Sequence, residues 1–336
     1  MSLSRRDLLC RLGMGSVAVA AGGGGPTAAT AKAPARARAA QAAPSPPGVR
    51  EYWIAARNVR WSIVPTGHDA WKDGKVKNVK YDALAYVACT PNWEQPLPPA
   101  GIGDNAGIPG PVLRAGPGDT LRIHFRNEDT KYKMPHTMHP HGVHYAPNDD
   151  GTYMGIYTRP SGAVKPGASY TYEWTAGDDS IGVWPYHDHG PMEMMSTNLG
   201  LFGAIVVRPR DEPPPDVEHT IFFHMYMPAD IKARKAFSAI NGRAYAGNTP
   251  TPTARVGQDV AFNVLTLGSE FHTFHIHGHR WHDVTASDGF GDAPGLLPSQ
   301  GVRIRFREQD PGRWLYHCHV MTHMQAGMVG YYLVSP

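Results

Sequence analysis

Three cysteines in 336 residues leave no material for a disulfide framework. Cys10 lies in an amino-terminal segment that reads as removable, Cys318 stands between two histidines, and Cys89 is left unpaired. Beyond that segment no apolar run is long enough to cross a membrane, and no amphipathic helical pattern of useful length occurs. An excess of base is lacking as well. Residues 1–40 hold six basic residues and one acid, which leaves the remainder with 26 basic and 28 acidic residues. That balance gives no footprint for nucleic acid.

What is abundant is turn material, with 37 Gly and 31 Pro. Short apolar runs bounded by turns, such as GPGDTLRIHFRNE, ASYTYEWTA and LGLFGAIVVRP, read as strands. The expectation is an all-β chain of two sandwich or barrel domains. An internal repeat supports the division: HTMHPHG at 136–142 matches HTFHIHG at 272–278, and HDHGPMEMMSTNLG at 187–200 matches HCHVMTHMQAGMVG at 317–330. The proline-rich stretch at 208–219 separates the copies and cannot form a central strand. The boundary is expected near Pro213, giving domains over 45–212 and 213–336. Residues 1–40, with Arg5 and Arg6 ahead of an apolar run rich in Gly and Ala, read as a twin-arginine-type signal and small-residue leader. Export to the periplasm or the outside follows, with no membrane in the mature form.

The chemistry lies in the histidines. His317, Cys318 and His319 are followed by His323 and Met328, which together offer a thiolate, imidazoles and a thioether: a blue-copper ligand set. Neighbouring side chains on a strand point to opposite faces, so Cys318 can serve one metal site while His317 and His319 serve another. Three further HxH pairs occur, His139 with His141, His187 with His189, and His275 with His277. A spacing of two puts both imidazoles of a pair on one face. His272 precedes His275 by three residues, an odd spacing that sends it to the side of Cys318. Eight paired histidines remain, enough for three metal ions.

The motifs HPHG, HDHG, HTFHIHG and HCHVMTHMQAGM resemble those of multicopper oxidases, and the short chain looks most like the two-domain bacterial laccases over residues 50–336. The resemblance implies two cupredoxin-like Greek-key domains and four coppers per subunit. The type 1 copper would take His272, Cys318 and His323, with Met328 as weak axial ligand; the type 2 copper His139 and His275; the type 3 pair His141, His187, His189, His277, His317 and His319. Asp150 and Tyr145 match an acidic residue and a tyrosine beside the cluster, although each also fits an ordinary polar loop. The implied activity is one-electron oxidation of phenols or aromatic amines coupled to reduction of dioxygen to water. The implied assembly is a homotrimer with the three-copper clusters shared between chains.

A lone HxH pair is unremarkable in a chain with 18 histidines; the four together are not. The remaining histidines, His68, His124, His144, His219, His224, His279 and His282, are expected at the surface or behind the ligands. In the first repeat Asp188, Glu193 and Asn198 stand opposite Cys318, His323 and Met328, with His136 opposite His272, so a blue site there is excluded and a hydrogen-bonded polar plug is expected in preference to a hard-metal site. Three alternatives stay open. Met192, Met194, Met195, Met225 and Met227 could gather cuprous ion for a metal oxidase, or simply fill core gaps. A copper nitrite reductase fits poorly, having its blue site in the first domain. A non-catalytic electron carrier would need only the blue site.

Overall fold

The computed structural model describes residues 46–283 and 289–336, so the amino-terminal signal lies outside the described residues. Ala42–Pro336 form one compact unit. Its first half contains β1 (Val49–Ser62), β2 (Lys80–Cys89), β3 (Val112–Ala115), β4 (Thr120–Glu128), β5 (His139–Pro140), β6 (His144–Tyr145), β7 (Ser169–Thr175), β8 (Gly182–His187), helix α1 (Glu193–Leu199) and β9 (Phe202–Val207). The second half contains β10 (Val217–Tyr226), β11 (Phe237–Ile240), β12 (Thr253–Arg255), β13 (Asp259–Leu267), β14 (His272–Ile276), β15 (Gly295–Leu296), β16 (Gly301–Arg307), β17 (Gly312–Cys318), helix α2 (Met321–Gln325) and β18 (Val329–Ser335).

The halves repeat one topology. In the first, a sheet of order β2-β1-β4-β7-β6 faces a sheet of order β3-β9-β8-β5; in the second, β11-β10-β13-β16 faces β12-β18-β17-β14-β15. The parallel pairs correspond too: β1 with β4 and β3 with β9, then β10 with β13 and β12 with β18. Inward residues alternate along the strands, as in the burial of Leu121, Ile123 and Phe125 on β4. Such alternation suits a sheet with one face on a core.

One apolar core draws on both halves, joining Tyr86, Phe125, Trp174 and Leu201 to Phe222, Tyr226, Phe237 and Leu265. Polar bonds reinforce it. Trp61 Nε1 donates to the Gly242 carbonyl at 2.6 Å, Tyr81 and Tyr226 share a 3.0 Å hydroxyl contact, and Arg243 reaches the Ser62 carbonyl. The two halves are therefore welded. Two short helices, α1 and α2, follow the HDH and HCH motifs, where the sequence showed no helical period.

Close approach of β16 to β8 requires Gly301, because a Cβ there would lie 2.1 Å from the Val183 carbonyl oxygen. Gly301→Ala is expected to lower stability by about 1–3 kcal/mol, the usual range for overpacking. A thermal midpoint unchanged from wild type would contradict this packing of the halves.

Candidate metal centres

Register places the ligands. On β14 and β17, Phe274 pairs with Cys318 and His275 with His317, so His272, two residues before Phe274, shares the inner face with Cys318 while His275 and His317 face outward. The first half repeats the pairing, with His187 opposite His139 on β8 and β5. The glycine ending each HxHG motif is required. Gly142 (φ +71°) and Gly278 (φ +75°) have left-handed backbones, and a Cβ would lie 2.0 Å from the Trp184 ring or 2.8 Å from that of Trp314.

The inner site is a triangle of donors. Cys318 Sγ lies 3.7 Å from His272 Nδ1 and 3.8 Å from His323 Nδ1, and the two nitrogens are 3.2 Å apart. A point equidistant from the three atoms is about 2.1 Å from each, close to the roughly 2.0–2.1 Å of a metal–imidazole bond. Copper therefore fits. His272, Cys318, His323 and Met328 are all buried, and Met328 packs in the same apolar cluster as Cys318. Burial pulls the His272 pKa down to about 3, helped by His323, so the ring is neutral and its lone pair is free to bind metal. His272 Nε2 is buried without a hydrogen-bond partner.

The eight paired histidines form two outward sets of four. In the first, His141 Nε2 and His187 Nε2 lie 3.1 Å apart, with His139 and His189 in ring contact. In the second, His277 Nε2 and His317 Nε2 are also 3.1 Å apart, with His275 and His319 alongside. The donor atoms of His139, His141 and His187 lie within 4.8 Å of one another, as do those of His275, His277 and His317. Among the described residues no ring contact or hydrogen bond joins the two sets. His277 and His319 are exposed, so the second set opens at the surface.

Nδ1 bonds turn the rings. His139, His187, His275 and His317 donate Nδ1–H to the carbonyls of Asp150, Asp188, Asp292 and Cys318 at 2.7–3.0 Å. This tautomer frees Nε2 for metal. Burial, with neighbouring imidazoles, draws His141 down to about 4 and His187 to about 3. Burial also lowers His317 to about 4.

Asp150 and Tyr145 are brought to the first set. Asp150 Oδ1 is 3.2 Å from His139 Nδ1, and the Tyr145 ring lies 5.9 Å from that of His139. Burial, then Asp150, raises the Tyr145 pKa. Asp292 is the counterpart of Asp150 in the second set and escaped the sequence reading, because it sits 17 residues after its histidine where Asp150 sits 11 after His139. Also missed were Glu308 and Tyr332, the partners of His279 behind His277. His279 Nδ1–H donates to the His277 carbonyl at 2.8 Å, its Nε2 meets Glu308 at 3.2 Å, and Tyr332 donates to Glu308 at 2.5 Å. His219 and His224 are core residues, not surface groups.

The degenerate site differs from the expected plug. His136 Nδ1 meets Asp188 Oδ2 at 2.9 Å, but its other nitrogen meets Asp129 at 3.3 Å, a residue no motif had indicated. Glu193 and Asn198 are not part of it. Glu193 Oε2 reaches His189 Nδ1 at 3.3 Å, and Asn198 donates to Asp230 at 2.8 Å. The cause is helix phase: His323 is the third residue of α2, whereas Glu193 is the first of α1, which turns it to the histidine face.

Burial pulls the His136 pKa down, but bonds to Asp129 and Asp188 outweigh it and hold the ring at about 9. A raised imidazole pKa stabilises the fold below the unfolded value near 6.5, and the stabilisation is lost as pH rises through 9. Denaturation midpoints are expected to fall between pH 6.5 and 9, by on the order of 3 kcal/mol in stability. The same slope in His136→Ala would show that another group is responsible.

Models of multicopper oxidase domains match residues 90–212 and 214–336. The chain is 34% identical over 252 residues to a probable nitrite reductase-hydroxylamine oxidoreductase fusion protein of Kuenenia stuttgartiensis, covering 69% of this chain and 28% of that protein. Hephaestin of Mus musculus is 25% identical over 359 residues, with 87% of this chain and 30% of hephaestin covered. The chain thus spans less than a third of these curated relatives. A crystal structure described as a multicopper oxidase superposes with a TM-score of 0.65 at 26% identity, over 85% of this chain and 89% of the other. With two cupredoxin-like sandwiches and both domain models matched in order, the chain belongs to the multicopper oxidase family, whose members are copper oxidoreductases.

Proposed function

We propose that the chain is a laccase-like oxidase that takes electrons singly from phenols or aromatic amines and reduces dioxygen to water. The observation that carries this reading is the end of β17 and the residue after it, where Cys318 enters the buried triangle while His317 and His319 belong to an outward imidazole set. In this reading His272, Cys318, His323 and Met328 would hold a type 1 copper. His139 and His275 hold the type 2 copper, and His141, His187, His189, His277, His317 and His319 the type 3 pair. Copper supplies the one-electron steps and the four-electron reduction of oxygen.

The protein's own groups do the rest. Burial keeps water from Cys318, and the carbonyl bonds to Nδ1 hold four of the outward rings, His139, His187, His275 and His317, with Nε2 free to ligate. Asp150 Oδ1 and the Tyr145 hydroxyl stand beside His139, where a proton can be held for oxygen reduction. The outward sets are read as halves of one cluster, each completed by the next copy of the chain in a homotrimer. Their separation within a single chain supports this. Export by a twin-arginine-type signal belongs to the same reading.

One observation favours a second substrate. Met194, Met225 and Met227 line a cavity of about 470 Å³ with Glu193, Glu270 and the first histidine set, although Met225 also packs against the second apolar core. Soft thioethers suit cuprous ion, although carboxylates are harder donors. Oxygen uptake with a phenol, with cuprous ion, and with nitrite as competing acceptor separates the readings. Uptake is expected with the phenol; consumption of nitrite in place of oxygen would overturn the proposal.

Cys318→Ser should abolish the intense visible thiolate-to-copper absorption, whereas Met328→Leu should keep it and raise the potential by removing a weak donor. A band that survives in the serine variant would remove Cys318 from the ligands. Mixing a His141→Ala, His187→Ala chain with a His277→Ala, His317→Ala chain should restore part of the activity. Full activity of a monomer in sedimentation would refute sharing between chains.

A further inference from the structure

The first half has no thiolate, yet the surroundings of Cys318 are reproduced there. The Thr273 amide donates to Cys318 Sγ at 3.5 Å, and the amide of its repeat partner Thr137 donates to Asp188 Oδ1 at 2.7 Å. His272 Nδ1 faces the sulfur at 3.7 Å; His136 Nδ1 faces the Asp188 carboxylate at 2.9 Å. A carboxylate thus stands where the thiolate stands in the other half. Asp129 closes the arrangement from the far side of the ring, itself held by Asn58 Nδ2 and by the amides of Lys131, Tyr132 and Met134.

We propose that Asp129, His136 and Asp188 form an ionic clamp that takes the mechanical place of a buried metal in the first half and positions His187 and His189. The proposal rests on the four-copper reading only for what those two histidines bind. Asp188 is the hub. Its carboxylate accepts from the Thr137 amide and hydroxyl and from the Gly190 amide, and its carbonyl accepts His187 Nδ1–H at 3.0 Å. Thr137 Oγ1 in turn accepts the His189 amide at 3.0 Å. His187 is therefore held by the Asp188 main chain, and His189 through Thr137, which the Asp188 carboxylate fixes.

The clamp is sealed, with the side chains of His136, Asp129 and Asp188 at 0%, 0% and 1% exposure. The two ring nitrogens point apart, so the carboxylates sit on opposite edges of the imidazole. One cation cannot meet all three, and an imidazolium bearing both protons can. Removing one partner leaves an uncompensated buried charge, so the device is sensitive to single changes.

The test uses the full chain with and without copper. In the apoprotein, Asp129→Asn, which keeps the side-chain volume, should speed amide exchange at Thr137 and His189 by about tenfold to a hundredfold. Thr273 and His319 in the other half should be unaffected. In the copper-loaded protein the same variant should alter the electron paramagnetic resonance of the cluster copper while the Cys318 absorption per chain stays constant, and Asp129→Glu should restore part of the native signal. Unchanged exchange at Thr137 and His189 in Asp129→Asn would overturn the clamp. If wild type holds only the copper at Cys318, the four-copper reading fails, and the apoprotein exchange still decides this proposal.

Discussion

The register between β14 and β17 is the constraint on which the chemistry depends. Side chains alternate with a period of two, so pairing Phe274 with Cys318 fixes which of the neighbouring histidines go in and which go out. A slip of one residue on β17 would turn Cys318 and Tyr316 to the outer face and point His317 inward toward Phe274 and Trp281. That register is held by apolar packing. Phe274, Ile276, Tyr316 and Cys318 lie fully buried in one cluster, while the outward rings are tied by carbonyl bonds.

The same constraint explains why so much was legible. Parity along a strand needs no tertiary information, so the separation of His272 and Cys318 from His275, His277, His317 and His319 could be read from spacing alone. Duplication was equally visible, because the HxH motifs repeat with their flanking residues and the two halves share one topology. The groups behind the ligands were not legible. Asp129 lies just after β4 outside every histidine motif, Asp292 reaches His275 through a loop of different length from its counterpart, and Glu308 approaches His279 from just beyond the end of β16. Glu193 shows a subtler failure. Its position in the repeat was right, but the first turn of α1 starts two residues later in register than that of α2, and a helix rotates a side chain by about 100° per residue.

The two halves solve one mechanical problem with different chemistry. Each must hold a strand whose outer face carries clustered imidazoles and whose inner face is shut off from water. The second half has a cysteine sulfur and two imidazoles there; the first has two carboxylates and an imidazolium. The welding of the halves through Trp61, Tyr81 and Arg243 then fixes the bearing of one imidazole set against the other within a chain.

That fixed bearing has a consequence for how such a unit can be combined. In the proposed shared arrangement, a set of imidazoles open at the surface is completed by another unit, which can be a separate molecule or a second unit in the same polypeptide. What differs is effective concentration. Separate copies dilute apart, whereas tethered ones meet at the millimolar levels that short linkers impose. A unit of this kind can therefore be strung end to end without redesigning its surfaces.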